Sequence, residues 1–157
     1  MNSSFGPIIN LKELPKAYEL LIEFNKKIKI YTTEDEMVKT VSKFLELGNP
    51  IGIVYKNELI AYYNLYCNNI ETFDAYFGNL YVLFDYRRMG LAESLVFSAI
   101  EFVKKKHFKR ILLHVAKNNN AAINLYEKLG FEYTGNTKLL GSEDCYEMML
   151  IIRGDNR

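Results

Sequence analysis

Tryptophan is absent from these 157 residues, and only two cysteines, two histidines and three prolines occur. Cys67 and Cys145 are too few for a disulfide framework, and nothing near them has metal-ligand spacing, so the sequence reads as reduced thiols and no metal site. Neither has a histidine or basic cluster beside it, which argues against a cysteine nucleophile. No apolar run approaches the ~20 residues that span a bilayer. The start, Met1-Asn2-Ser3-Ser4-Phe5-Gly6-Pro7, lacks the basic head and apolar middle of a secretion signal. These absences point to a cytoplasmic protein with no membrane partner. Charge excess is missing too: twenty Lys and Arg stand against nineteen Asp and Glu, a net of +1, which gives no electrostatic case for nucleic acid. No repeat, linker or low-complexity tract interrupts the chain.

What is present is the composition of an ordered globular protein, 49% hydrophobic and 25% charged. The length suits one domain over residues 1–157. Twelve tyrosines and ten phenylalanines suggest a core and clefts lined by aromatic rings.

Leu14, Ala17, Tyr18, Leu21 and Ile22 recur at helical spacing, predicting a helix between Asn10 and Lys27 with Pro15 in its first turn. Thr33-Glu34-Asp35-Glu36 is a capping box that opens a second helix, which Gly48 ends. Ile51–Tyr55 and Leu59–Tyr66 read as strands joined by a tight polar hairpin, Asn68-Asn69 as the next turn, and Phe73–Leu83 as a third strand. Leu91, Ala92, Leu95, Val96, Ala99, Ile100 and Val103 give a long helix one apolar stripe. Ile111–Val115 is a short strand, so strand, helix and strand make a βαβ unit. A short helix follows over Ala121–Leu129, capped by the Asn118-Asn119-Asn120 run and stopped by Gly130. Phe131–Thr134 is a strand, Gly135–Asp144 a loop, and Tyr146–Ile152 the closing strand. The class is α+β in α/β/α layers, with a mixed, mostly antiparallel central sheet.

The stretch from Leu80 to Leu95 runs from strand through turn to helix N-terminus, where unpaired amides and the helix dipole favour phosphate. Gly90 permits a positive φ, and Ala92 keeps the approach to the main chain open. Both G-x-x-x-x-G-K-[ST] and G-x-G-x-x-G are missing. Arg87-Arg88-Met89-Gly90-Leu91-Ala92 instead matches R/Q-x-x-G-x-G/A, and Asn119-Asn-Ala-Ala-Ile-Asn-Leu-Tyr126-Glu-Lys-Leu-Gly-Phe131 matches N-x-x-A-x-x-x-Y-x-x-x-G-F about 30 residues on. Together these resemble the GCN5-related N-acetyltransferase (GNAT) superfamily, and the resemblance implies its acyl-coenzyme A N-acyltransferase fold with the βαβ unit binding cofactor.

The resemblance implies acetyl-coenzyme A as co-substrate. Main-chain groups of Leu80, Tyr81 and Val82 would pair with the pantetheine arm, and an amide near Val82 would polarise the thioester carbonyl. Arg87, Arg88, Met89, Gly90, Leu91, Ala92 and Glu93 would wrap the pyrophosphate. Asn119 would hold the pantetheine and the Tyr126 hydroxyl would protonate the departing thiolate. Seven residues separate those two, so one helix face could carry both. The alternative for Tyr126 is a core aromatic, against which stands its place off an Ala122/Leu125/Leu129 stripe. His114 stands where many relatives carry Glu. It can serve as general base or as a hydrogen-bonded structural group. Phe84 replaces the usual Pro, and Ala92 the last Gly. Glu71, Asp74, Tyr62, Tyr63 and Tyr66 could face an acceptor cleft or be ordinary strand and surface residues.

The reaction implied is direct attack of a primary amine on the thioester, with the acceptor (small-molecule amine, amino sugar, or peptide or protein amine) open. The alternative is a coenzyme A-binding regulatory module of the same fold. Homodimers are common in the family, and no apolar seam here demands one.

Overall fold

The computed structural model describes residues 2–154. Pro15 shapes its first part. A residue before proline is pushed out of the α region, and Leu14 is extended at φ −95° and ψ 135°. The expected first helix is therefore divided. A 3-10 turn at Leu11–Glu13 is capped by Asn10, whose side chain accepts from the Lys12 amide, and helix α1 starts only at Ala17 and ends at Ile28. Ala17, Leu21, Phe24 and Asn25 are its buried residues, and Tyr18, expected inside, is exposed. Helix α2, Glu34–Leu47, begins and ends as its sequence predicts: Thr33 Oγ1 accepts from the Glu36 amide at 3.1 Å, and Gly48 donates back to Phe44.

Short strands β1 (Asn2–Ser3) and β2 (Gly6–Pro7) pair antiparallel. The main sheet holds β3 (Ile9–Asn10), β4 (Asn49–Tyr55), β5 (Glu58–Asn69), β6 (Asp74–Val82), β7 (Arg110–Ala116), β8 (Glu132–Leu140) and β9 (Glu143–Ile151). Its hydrogen-bonded order is β3-β4-β5-β6-β7-β9-β8. Helix α3 (Leu91–Lys105) connects β6 to β7, which pair in parallel, and α4 (Asn120–Lys128) follows β7. The result among the described residues is a mixed seven-stranded sheet with four α-helices, the arrangement that the sequence resemblance implies.

By packing, the chain divides into two compact units: residues up to Tyr66 with Asn79–Ala99, and Cys67–Gly78 with residues from Ile100 onward. In the first, Lys56 and Asn57 both take positive φ, 51° and 63°, and make the two-residue β4–β5 turn. Successive residues of a strand point to opposite faces, so Tyr62 and Tyr63 part company. Tyr62 sits in the core with Leu21, Phe24, Val41 and Phe44, and its hydroxyl accepts from Asn25 Nδ2 at 3.1 Å. Tyr63 meets Ser98 of α3 at 2.8 Å. Both rings are fully buried, so neither lines an acceptor cleft. Helices thus cover both faces of β5.

In the second unit, β7 alternates: Ile111, Leu113 and Val115 are buried, and Arg110, Leu112 and His114 half-buried. The predicted turn at Asn68-Asn69 comes one step later. β5 runs through Asn69, whose side chain then accepts from the Glu71 and Thr72 amides. Asp74 takes two hydrogen bonds from Arg110, at 2.6 and 2.8 Å, and so joins the parallel strands rather than an acceptor. The expected loop over 135–144 is instead most of a β8–β9 hairpin turning at Gly141. Its register breaks between Tyr133 and Thr137, where Gly135 has φ +93°. Gly, Asn and Ser in that stretch mark a bulge and a tight turn rather than loss of pairing.

Candidate active site

In the first unit the sequence after β6 bends twice into left-handed backbone, at Arg88 (φ 62°) and Gly90 (φ 77°), before α3 begins. Gly90 O accepts from the Ser94 amide, so the Leu91 and Ala92 amides precede the first intrahelical bond. A Cβ added at Gly90 would meet nothing within 4 Å. The glycine is required by its φ and not by crowding, and the space outside the loop is open. Arg87 to Gly90 are exposed there. The donor set, helix amides beside Arg88 over an open turn, suits a pyrophosphate.

Arg87 has a second employment. Its Nε donates to Val82 O at 2.9 Å and its guanidinium lies 5.7 Å over the Phe84 ring, so it braces the loop against the end of β6. Phe84, in place of the usual Pro, is the platform for that cation, and 80% of it is exposed. Leu80, Tyr81 and Val82 are half-buried. Of the main-chain groups expected to pair with pantetheine, Val82 O already accepts from Arg87, and the next amide, that of Leu83, donates to Ile60 O. Among the described residues strand β6 pairs with β7 over Asp74–Tyr76, and Asn79 beyond it has φ 58°. A left-handed residue inside a strand bends it.

In the second unit Asn119 is the N-cap of α4, its Oδ1 accepting from the Ala122 amide at 3.2 Å. It is exposed, whereas Tyr126 is buried. Tyr126 packs edge-on to Phe77 at 6.2 Å and against Phe131 at 5.6 Å. The buried residues of α4 are Ile123 and Tyr126, so placing Tyr126 off the packed stripe is corrected: it is part of the core side. That burial pushes its phenol up, which keeps the proton on the oxygen.

His114 lies opposite Glu147 of β9 in the antiparallel register. Its Nε2 is 3.4 Å from Glu147 Oε2, with side-chain exposures of 15% and 17%. Glu147 Oε1 accepts from Thr134 Oγ1 at 2.9 Å and Asn136 Nδ2 at 3.2 Å. Burial pushes the Glu147 carboxyl up, but those two donors and His114 outweigh it and hold it below the usual carboxylate range. The sequence reading missed Glu147, Thr134 and Asn136, because their link to His114 runs through strand register, which no local motif announces. Cys67 is half-buried with its thiol pushed up to about 11 by burial, in keeping with an unreactive sulfur. Among the described residues no cluster of His, Cys, Asp and Glu could hold a metal ion, and no helix is long and apolar enough to cross a membrane.

The acetyltransferase (GNAT) family model matches residues 14–131. The chain belongs to that family. Its relatives include "Probable N-acetyltransferase san" of Drosophila melanogaster, 29% identical over 128 residues that make up 78% of this chain and 63% of the fly protein. N-alpha-acetyltransferase 30 of Saccharomyces cerevisiae is 43% identical over 56 residues, 36% of this chain and 32% of the yeast protein. The chain thus spans less than two thirds of the length of these curated relatives. Among solved structures, the ribosomal-protein-S18-alanine N-acetyltransferase of Escherichia coli shares the fold. Its TM-score is 0.70 at 24% identity, covering 96% of this chain and 94% of that one. For a GNAT chain the turn at Arg88–Gly90 and the short α4 helix fall in the two motif segments on which the resemblance rests.

Proposed function

We propose that this protein is an acetyl-coenzyme A dependent N-acetyltransferase whose acceptor is the α-amine of a peptide or protein N-terminus. The observation that carries the enzymatic half is the doubly left-handed turn at Arg88 and Gly90, which opens the α3 amides outward within a chain of this family. When bound, acetyl-coenzyme A supplies the acetyl thioester. The amine nitrogen forms the new amide bond, the carbon–sulfur bond breaks, and one proton is released overall as ammonium and thioester become amide and thiol.

The Leu91 and Ala92 amides, with Arg88, hold the pyrophosphate, and Met89 and Glu93 flank it. Leu80, Tyr81 and Val82 offer main-chain groups to the pantetheine, and the Val82 amide is a fixed donor for the thioester oxygen. Asn119 contributes its Nδ2 while its Oδ1 caps α4. His114 takes the proton of the acceptor ammonium, and Tyr126 O–H gives its proton to the departing sulfur.

The acceptor follows from the base. An α-amine ordinarily titrates at about 7.7–8.0 and a lysine at about 10.4, so freeing the lone pair at pH 7 costs about 1.4 kcal/mol for the first and about 4.6 kcal/mol for the second. Imidazole, a weak base, is suited to the smaller task. The yeast relative's name, an N-alpha-acetyltransferase, supports the same choice. The test is thiol release with a short peptide bearing a free N-terminus, the same peptide Nα-blocked with one lysine, and spermidine. The free α-amine should lead in kcat/KM by about 10²-fold, the difference above of about 3.2 kcal/mol taken at about 1.4 kcal/mol per decade. A lead for lysine or spermidine overturns the acceptor. Binding of acetyl-coenzyme A without turnover of any amine points to a coenzyme A-binding regulatory module instead.

A further inference from the structure

His114 is assigned above by its place on β7, and what surrounds it goes further. Its neighbour across the register is a carboxylate, and that carboxylate is itself held. Glu147 Oε1 takes one bond from Thr134 and one from Asn136, both on β8, and the Thr134 hydroxyl also accepts from the Asn136 amide at 3.1 Å. Residues 134 and 136 flank Gly135 in the β8 bulge, and both side chains reach the same carboxylate oxygen. Glu147 Oε2 is left facing His114 Nε2 at 3.4 Å. A carboxylate accepts and cannot donate while ionised, so the imidazole nitrogen that meets it must carry the hydrogen. Its depressed titration, caused by those donors and His114 outweighing burial, keeps it ionised at neutral pH.

We propose that Glu147 is a positioning residue for His114: it accepts the Nε2 hydrogen, fixes the imidazole as one tautomer, and leaves the Nδ1 lone pair to take the acceptor's proton. This rests on the reading of His114 as the base. An imidazole whose second nitrogen is bound by a carboxylate presents its other nitrogen in one orientation, which is what a base must do to meet an amine in the right geometry. Thr134 and Asn136 serve the same end one step removed by fixing the carboxylate.

The experiment uses the full chain labelled with 15N-histidine in a His107→Asn background, since His107 is the other of only two histidines and its φ of 61° suits asparagine. Long-range 1H–15N correlations at neutral pH read the tautomer without turnover. The ring should be Nε2–H alone in the parent and a mixture in Glu147→Ala, with Asn136→Ala between them. In steady state Glu147→Ala should lose at least about tenfold in kcat, part of the 10²–10⁴ that a positioned base supplies, with KM for acetyl-coenzyme A unchanged. An Nδ1–H ring in the parent overturns the proposal, and so does full kcat in Glu147→Ala. His114→Asn separates the two claims. If it abolishes turnover while Glu147→Ala keeps full kcat, only the positioning role falls. If it keeps full rate, the base falls and the positioning role with it. Should Glu147→Ala fail to fold, Asn136→Ala carries the same kcat and tautomer readouts with the carboxylate in place, and full kcat with an unchanged tautomer there overturns the proposal.

Discussion

Replacing Gly90 with alanine isolates the conformational demand of the turn before α3, the pyrophosphate site of the proposed function. A Cβ there meets nothing within 4 Å, so the substitution introduces no clash, and the whole effect comes from holding φ near +77° with an L-residue. That conformation costs about 1–2 kcal/mol. The turn is exposed and can relax to negative φ when nothing is bound, in which case folding is spared the cost and ligand binding carries it. The dissociation constant for coenzyme A should then rise about 5- to 30-fold, the factor that about 1–2 kcal/mol represents, while the melting temperature of the free protein stays put. Gly90→Asn adds more bulk but tolerates the left-handed region, so it should bind more tightly than Gly90→Ala. Calorimetric titration with coenzyme A, paired with thermal melts, reads both quantities. An alanine variant that binds and melts like the parent refutes the argument that φ matters. An asparagine variant weaker than alanine shows that bulk, not φ, decides.

Tyr126→Phe keeps the ring against Phe77 and Phe131 and removes only the hydroxyl, so kcat should fall about 10²-fold or more with the melting temperature unchanged; full turnover in steady-state assays would remove the acid role. Gly52→Ala tests the fold instead, since its Cβ would lie 2.4 Å from Ala61 O and 2.7 Å from Tyr62 Cβ, and chemical denaturation should show a loss of about 1–3 kcal/mol. Glu147 titrates below its ordinary value, so its contribution is present above the unfolded carboxyl value of about 4.3 and is lost as pH falls through the lower folded one. The gap in melting temperature between parent and Glu147→Gln should accordingly be widest at neutral pH and close in acid, and a gap independent of pH would count against the three-donor arrangement around that carboxylate.

Where structure is set by neighbours in sequence, it was legible in the sequence. The Thr33 cap and the Gly48 stop of α2 were plain because both act within one turn of chain. The positive φ at Gly90 was legible for the same reason. Where structure is set by pairing across the sheet, local reading misled. Residues 135–144 carry loop composition, but Thr137–Leu140 pair with β9, Glu143 and Asp144 open β9 itself, and a bulge near Gly135 absorbs the mismatch. Tyr126 was placed off the packed side of α4 because Ala122, Leu125 and Leu129 also keep helical spacing. Which of two apolar stripes turns inward depends on what lies beneath, and here Phe77 and Phe131 receive the tyrosine ring. Tyr62 and Tyr63 are open in sequence between cleft and ordinary strand residues, and only the helices on both faces of β5, which bury them, decide it.

The same distinction bears on chemistry at the dyad. In sequence, His114 stands on β7 where many relatives carry glutamate, open between a general base and a structural group. The register shows the carboxylate one strand over, at Glu147, directly opposite the substituted position. In the proposed reading an imidazole on β7 with an ionised carboxylate behind it is a base whose orientation is set by two strands and a third that fixes the carboxylate. Under the proposed reading this favours amines near neutrality over strongly basic ones, because the base is an imidazole and an α-ammonium ordinarily gives up its proton about 2.5 units lower than a lysine ammonium does. A change at β8, far from either sequence motif, should therefore alter turnover: Asn136 touches neither cofactor nor acceptor in this scheme, and it acts only by keeping Glu147 where His114 needs it.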